Sequence, residues 1–299
     1  MIKFQDKAIK ADDYCYKSVI TGDKMNKIIE KIKMRYLIIF LFVGLFGLSG
    51  CENATDVNFF SVQDDVELGK GLEQEIRLNQ QEYPIYDSYQ HTQYVQEILN
   101  EIIKSSEINY ADVFEYKITL IDNDEVVNAF AAPGGYIYVY TGLLKFLDNE
   151  ATLAGIIAHE VSHAERRHAT QRMTKSYGIS IMLGLILGEN PNMWEDLAAN
   201  LFSGLTLLYN SREDEYEADE YSFRYLRSTK WYAGGILFFF YKANDNREAS
   251  FLEELFLTHP LPTNRIEQME ALVDGGNIPD PSESNLFSDR YAQFKATLK

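Results

Sequence analysis

Along this chain of 299 residues the spacing of apolar positions changes period several times, and each change marks an element. Over residues 64–81 and 86–105 apolar side chains recur every three to four positions, which predicts two amphipathic helices separated at Tyr83-Pro84. Residues 114–121 alternate with period two and predict a strand. Residues 126–132 and 136–141 read as a hairpin around Pro133-Gly134-Gly135. After a short linking helix, the run 149–172 has no proline and a single glycine, Gly155, and predicts one helix. Residues 179–187 are apolar but too few to cross a bilayer, and they read as part of a helical pair covering the helix over 149–172, turning at Asn190-Pro191-Asn192. An acidic helix around Glu215, an aromatic-rich helix over 236–241, a loop bearing His259 and a helix over 264–272 complete the pattern. Residues 274–299 read as a polar tail, and no internal repeat is visible. The expected fold is α+β, mainly helical with a small sheet.

The helix over 149–172 carries His159-Glu160-Val161-Ser162-His163. Residues four apart share a helix face, so His159 and His163 can hold one metal ion, with Glu160 beside it as a proton acceptor. A solvent-facing helix with two chance histidines is the bland alternative. Apolar Leu153, Ile156, Ile157 and Val161 around the motif argue against it, because a buried histidine pair without partners is costly.

Two imidazoles do not make a zinc site, and the chain has only three further histidines, His91, His168 and His259. A carboxylate is therefore the expected third ligand, and carboxylates cluster in the helix that follows Ser211. Glu215 and Asp219 share one face of it, with small Ala218 and Ser222 beside them; Glu213, Glu217 and Glu220 fall on other faces and suit solvent.

HExxH followed about fifty residues later by Glu215-x-x-x-Asp219 resembles the HtpX/BepA-like zinc metallopeptidases, gluzincins of metallopeptidase family forty-eight. Asn128-AFAAPGGYIYVYTGLL and Thr258-HPLPTNRI look like segments of the same family, so the resemblance covers residues 64–272. It implies a zincin-type domain with one zinc ion on His159, His163 and Glu215. It makes Glu160 the catalytic base and Asp219 the residue orienting a ligand histidine. It places His259 and Arg265 beside the metal, as donors to the oxyanion or, for His259, as a fourth ligand that gates the site. It also makes Asn128, Ala129, Phe130 and Ala131 a strand bordering the cleft, on which an extended substrate adds as a further strand. The substrates it implies are unfolded or misassembled envelope proteins, cleaved for quality control. The alternative is a gated holdase or assembly factor for outer-membrane proteins with minor proteolytic activity. A purely structural zinc site is disfavoured, because such a site needs no base at Glu160.

The N-terminal region supplies an address. Lys27, Lys31, Lys33 and Arg35 precede thirteen nearly all-apolar residues, 36–48, and then Leu48-Ser49-Gly50-Cys51. This is the pattern of a bacterial lipoprotein signal over 25–50, with Cys51 lipidated and anchoring the protein to the envelope membrane, facing the periplasm. The apolar run is short for a permanent anchor helix. Residues 1–24 fit no signal and read as an upstream extension or mis-assigned start, 51–63 as a tether, and 64–273 as the peptidase domain. Cys15 and Cys51 are the only cysteines, so no disulfide or Cys-based metal site is open to the mature domain. The first fifty residues carry nine Lys/Arg and five Asp/Glu, so of the net −17 the remainder bears −21. Such an acidic domain repels nucleic acid, and no nucleic-acid partner is expected.

Overall fold

Ser61 starts the first helix by a reciprocal cap: its hydroxyl accepts from the Asp64 N–H, and the Asp64 carboxylate accepts from the Ser61 N–H. The computed structural model describes residues 57–178, 210–246, 248–260 and 263–299. Helix α1 is Val62–Leu78 and α2 is Tyr89–Ile102, each slightly displaced from the expected span. The expected tether does not extend to residue 63. Phe60 is buried, the Phe59 N–H donates to Thr174 Oγ1 (3.0 Å), and Asn58 Nδ2 donates to Thr170 Oγ1 (2.9 Å).

Three strands follow: β1 (Lys117–Ile121), β2 (Ala129–Ala132) and β3 (Tyr136–Tyr140), in the order β1-β3-β2. β2 and β3 form the expected antiparallel hairpin, in the register Ala129↔Val139 to Ala132↔Tyr136. Its turn demands φ of +75° at Gly134 and +93° at Gly135, which glycine adopts without a Cβ penalty. β1 pairs parallel with β3. It starts at Lys117 and not at residue 114, because the Val113 and Phe114 N–H groups close a turn on the Tyr110 carbonyl. The strands sort their side chains by alternation: Ile118, Leu120, Ile137 and Val139 join the main core, while Phe130, Tyr136, Tyr138 and Tyr140 join a second core under α1.

Helix α3 (Thr141–Phe146) links the sheet to α4 (Glu150–Glu165), whose N-cap Asn149 accepts from the Thr152 N–H (2.8 Å). All residues of α4 are buried, so it is the central helix of the domain. The expected single helix over 149–172 breaks in two. Arg167 adopts a left-handed φ of 61°, and α5 (His168–Tyr177) starts anew. The reason lies elsewhere in the chain: the Arg167 guanidinium is held by the Asp65 carboxylate of α1 and by the Phe60 carbonyl.

Helix α6 (Arg212–Leu226) begins with a capping box between Ser211 and Asp214 and packs along α4. α7 (Ile236–Asp245) carries the aromatic run. Phe239 and Phe240 are core, Phe238 is half-buried and Tyr241 is exposed, as expected of a helix with one inward face. α8 (Glu253–Thr258) delivers His259, and α9 (Thr263–Gly275) follows.

The expected polar tail is a structured part of the domain. It forms α10 (Glu283–Leu286) and α11 (Ser288–Lys295). Tyr291 is fully buried with its hydroxyl donating to the Leu144 carbonyl (2.7 Å), Phe294 stacks on Tyr94, and Arg290 pairs with buried Glu150. Apolar residues spaced as Tyr291 and Phe294 are enough to seat a short amphipathic helix. Among the described residues no helix is long and apolar enough to cross a membrane. Residues 1–24, the signal 25–50, Cys51 and the expected helical pair with its 190–192 turn lie outside the described residues.

Candidate active site

Helix α4 turns His159 and His163 to one side, as their spacing requires, and α6 lays Glu215 against them. His159 Nε2 and His163 Nε2 are 3.0 Å apart, and Glu215 Oε1 and Oε2 lie 3.2 Å and 3.5 Å from them. His259, at the C-terminal end of α8, brings Nδ1 to 3.0 Å from Glu215 Oε1. One donor atom from each of His159, His163, Glu215 and His259 fits within 4.8 Å, and all four residues are buried. Four converging nitrogen and carboxylate donors are the chemistry of a zinc site. Three imidazoles packed this closely around one carboxylate are what a cation would reconcile.

Glu160 is also buried. Its Oε1 lies 3.7 Å from His259 Nε2, and its Oε2 has no hydrogen-bond partner. Burial pushes its pKa up, opposed by the neighbouring His259 and His159, which suits a group that must accept and return a proton. Glu215 is the reverse case. Burial alone would raise it, but His259, Arg265 and the hydrogen bonds of His159 and His163 outweigh burial and hold it well below the carboxylate range.

Asp219 Oδ1 lies 2.9 Å from His159 Nδ1, the ring nitrogen turned away from Glu215. Arg265 meets both carboxylates: Nε and Nη2 bond Asp219 at 2.7 Å, and Nη1 lies 2.6 Å from Glu215 Oε2 and 3.0 Å from the Pro260 carbonyl. All three nitrogens are engaged, and Arg265 also borders the cavity that holds Glu160.

Three residues without a motif join the site. Asn210 brings Nδ2 to 3.3 Å from both His163 Nε2 and His259 Nδ1, while its Oδ1 accepts from Arg172 (2.6 Å). His168 and Glu217 meet behind His163: His168 Nε2 is 3.0 Å from Glu217 Oε2. Glu217 was expected in solvent with Glu213 and Glu220; it is half-buried and also accepts from Arg166 Nε (2.7 Å), whereas Glu213 and Glu220 are exposed. Helical spacing gives the face of Glu217 but not the neighbour that covers it.

Two cavities meet at Glu160 and His259. One, about 430 Å³, runs along residues 130–133 past His163 and Asn210. The other, about 410 Å³, is apolar, with Leu143, Ile156, Ile236, Phe239, Phe240 and Leu255 around it. β2 is the sheet edge beside the first. Because Tyr140 N–H bonds the Asn128 carbonyl, the alternation of an antiparallel ladder turns the backbone groups of Ala129 and Ala131 away from β3. The Ala129 N–H is taken by the Asn128 side chain (2.9 Å), and the outward groups of Ala131 face the cleft side.

Comparison with known proteins gives a consistent set of matches. The model of peptidase family M48 matches residues 89–273. The chain is 28% identical to the beta-barrel assembly-enhancing protease of Yersinia pestis over 185 residues, covering 58% of this chain and 37% of that protein. It is 32% identical to the protein of the same name from Escherichia coli over 157 residues, 49% of this chain and 32% of that protein. It is 28% identical to the mitochondrial metalloendopeptidase OMA1 of Saccharomyces cerevisiae over 176 residues, 56% of this chain and 50% of that protein. The matched part thus spans half or less of each of these relatives.

Proposed function

The chain belongs to peptidase family M48, a family of zinc-dependent metallopeptidases, and from that membership we propose that it is an endopeptidase of the bacterial cell envelope that cleaves misfolded or stalled envelope proteins. The observation that carries the reading is the buried convergence of His159, His163, Glu215 and His259 with Glu160 at its open side. His159, His163 and Glu215 are the zinc ligands of this reading. When bound, zinc supplies Lewis acidity toward a water and toward the scissile carbonyl. Glu160 takes the proton of the attacking water and returns it to the leaving amine. His259 and the Asn210 amide stand where an N–H can meet the developing oxyanion. Arg265 and Asp219 keep Glu215 and His159 from moving as charge shifts.

The substrate class draws on two features. The outward backbone groups of Ala131 suit an extended chain that adds to β2, with Asn128, Ala129 and Phe130 completing the docking strand. The apolar cavity beside Glu160 suits a large apolar side chain, the kind that folded proteins bury and unfolded ones expose. The relatives named for beta-barrel assembly support an envelope setting, and Cys51 is the proposed lipid anchor.

Zinc analysis and peptide cleavage on the wild type and Glu160→Gln test the reading. The variant should keep zinc and lose hydrolysis by at least about a hundredfold. Retained proteolysis by a protease-free preparation sinks it. Palmitate labelling, present in the wild type and absent from Cys51→Ala, tests the anchor.

A further inference from the structure

The proposed reaction leaves one buried histidine unused. In a continuous helix, residues five apart point about 140° away from each other, so His168 would turn its back on His163. The left-handed break at Arg167 prevents this and folds His168 beneath the metal cluster. His163 Nδ1 and His168 Nδ1 are 2.7 Å apart, and His168 is 1% exposed. His168 Nε2 then lies 3.0 Å from Glu217 Oε2, and Glu217 Oε1 accepts from Arg166 Nε at 2.7 Å.

With His163 Nε2 turned to the metal, the chemistry of these groups leaves one consistent proton order. An ionised carboxylate only accepts, so His168 Nε2 carries a proton toward Glu217. A neutral His168 then has a bare Nδ1, which accepts from Nδ1–H of His163. That leaves His163 Nε2 bare, and this is the atom 3.0 Å from His159 Nε2 and 3.2 Å from Glu215 Oε1. The reverse order would place the His163 proton on Nε2, aimed at the centre of the ligand cluster, and would set a bare His168 Nε2 against a carboxylate.

We propose that Arg166, Glu217 and His168 form a positioning relay that locks His163 in its metal-ligating tautomer and ring orientation, and so sets zinc affinity from a half-exposed carboxylate two residues removed from the metal. The proposal rests on the reading of His159, His163 and Glu215 as the zinc ligands. None of the relay residues lines either cavity at the site.

Zinc dissociation constants of the full-length protein in detergent, measured by competition with a chelator, test it. His168→Phe and Glu217→Ala should weaken zinc binding by about ten- to a hundredfold, the usual scale for partners behind a ligand. His168→Asn should recover part of the loss, because its amide oxygen can accept from His163 Nδ1. Glu213→Ala, which removes an equal charge from the exposed side of α6, should leave affinity unchanged. In cobalt-substituted protein the absorption bands of Glu217→Ala should shift from those of the wild type, and those of Glu213→Ala should not. Should His168→Phe fail to fold, Glu217→Ala carries the test alone, since its side chain is one-third exposed. Wild-type affinity in Glu217→Ala, or an equal loss in Glu213→Ala, overturns the relay while leaving the zinc centre standing. A wild-type protein that binds no zinc overturns the reading beneath it.

Discussion

The contact between α4 and the start of α7 is a tight joint behind the site, and a single methyl group there should disturb both stability and the metal. A Cβ at Gly155 would lie 2.6 Å from the Ile236 amide nitrogen and 3.1 Å from its Cα. On the other side of the same joint, a Cβ at Gly235 would lie 2.2 Å from the Ala151 carbonyl oxygen. Ordinary contact between such atoms is about 3.5–4.0 Å, so Gly155→Ala requires a backbone displacement on the order of 1 Å. α4 is buried along its whole length and has no free side to move into. Overpacking of this kind costs roughly 1–3 kcal/mol, and exchanging glycine for alanine in a helix returns about 1 kcal/mol. The net is a loss of up to about 2 kcal/mol, a fall of several degrees in Tm for a unit of this size. His159 sits one turn beyond Gly155 on the same face, so the displacement passes to a ligand. A misplacement of about 1 Å can cost on the order of a hundredfold in rate. Differential scanning calorimetry and peptide cleavage on the zinc-loaded variant read both effects. An unchanged or raised Tm with unchanged turnover would show that the joint has slack, and would refute the argument.

Three further outcomes are expected. Glu215→Ala should lose zinc and activity together, while the exposed Glu213→Ala keeps both; elemental analysis beside a cleavage assay decides. Glu73→Gln should flatten the acid limb of the stability curve. Burial pushes the Glu73 carboxyl up, but hydrogen bonds from Tyr138, Lys117 and Arg77 and the charge of Lys117 outweigh it and hold the pKa below its usual value. A depressed folded pKa stabilises above the unfolded value of about 4.3 and loses that contribution as pH falls through the folded one, so variant and wild type should differ at neutral pH and converge in acid. Ala131→Pro removes an N–H that β3 does not use, so substrate cleavage should drop with little change in zinc content or Tm; a large loss of Tm would count against strand docking on β2.

The elements that are local in sequence were legible there. The Pro133-Gly134-Gly135 turn and the four-residue spacing of His159 and His163 each act over less than two helical turns, whereas the Ser61 capping box, which starts α1 inside the expected tether, went unread. The parallel pairing of β1 with β3 and the exact start of β1 were not, because each depends on a partner that the local pattern does not name. The C-terminal segment misled for a related reason. Its glycines, prolines and charges outnumber its apolar residues, yet Tyr291 and Phe294, with the Arg290–Glu150 pair, dock α11 on the domain.

The break at Arg167 shows how far a non-local contact can reach into chemistry. Nothing in the run 149–172 disfavours helix, and an uninterrupted helix would have carried His168 to the far side of α4. The interruption is set by Asp65 and Phe60, about a hundred residues earlier, where α1 reaches the end of α4. One ion pair at that junction thus does two things. It fastens α1, with the β2–β3 turn packed on it, to the end of α4, and it returns His168 to His163, a proposed zinc ligand. The local pattern reveals His159 and His163 because they lie within one helical turn, but the residues that meet their other ring nitrogens are brought in by the tertiary fold. Glu217 and Asp219 illustrate the division: two positions apart on one acidic helix, they reach different histidines of the same metal centre, one directly and one through His168.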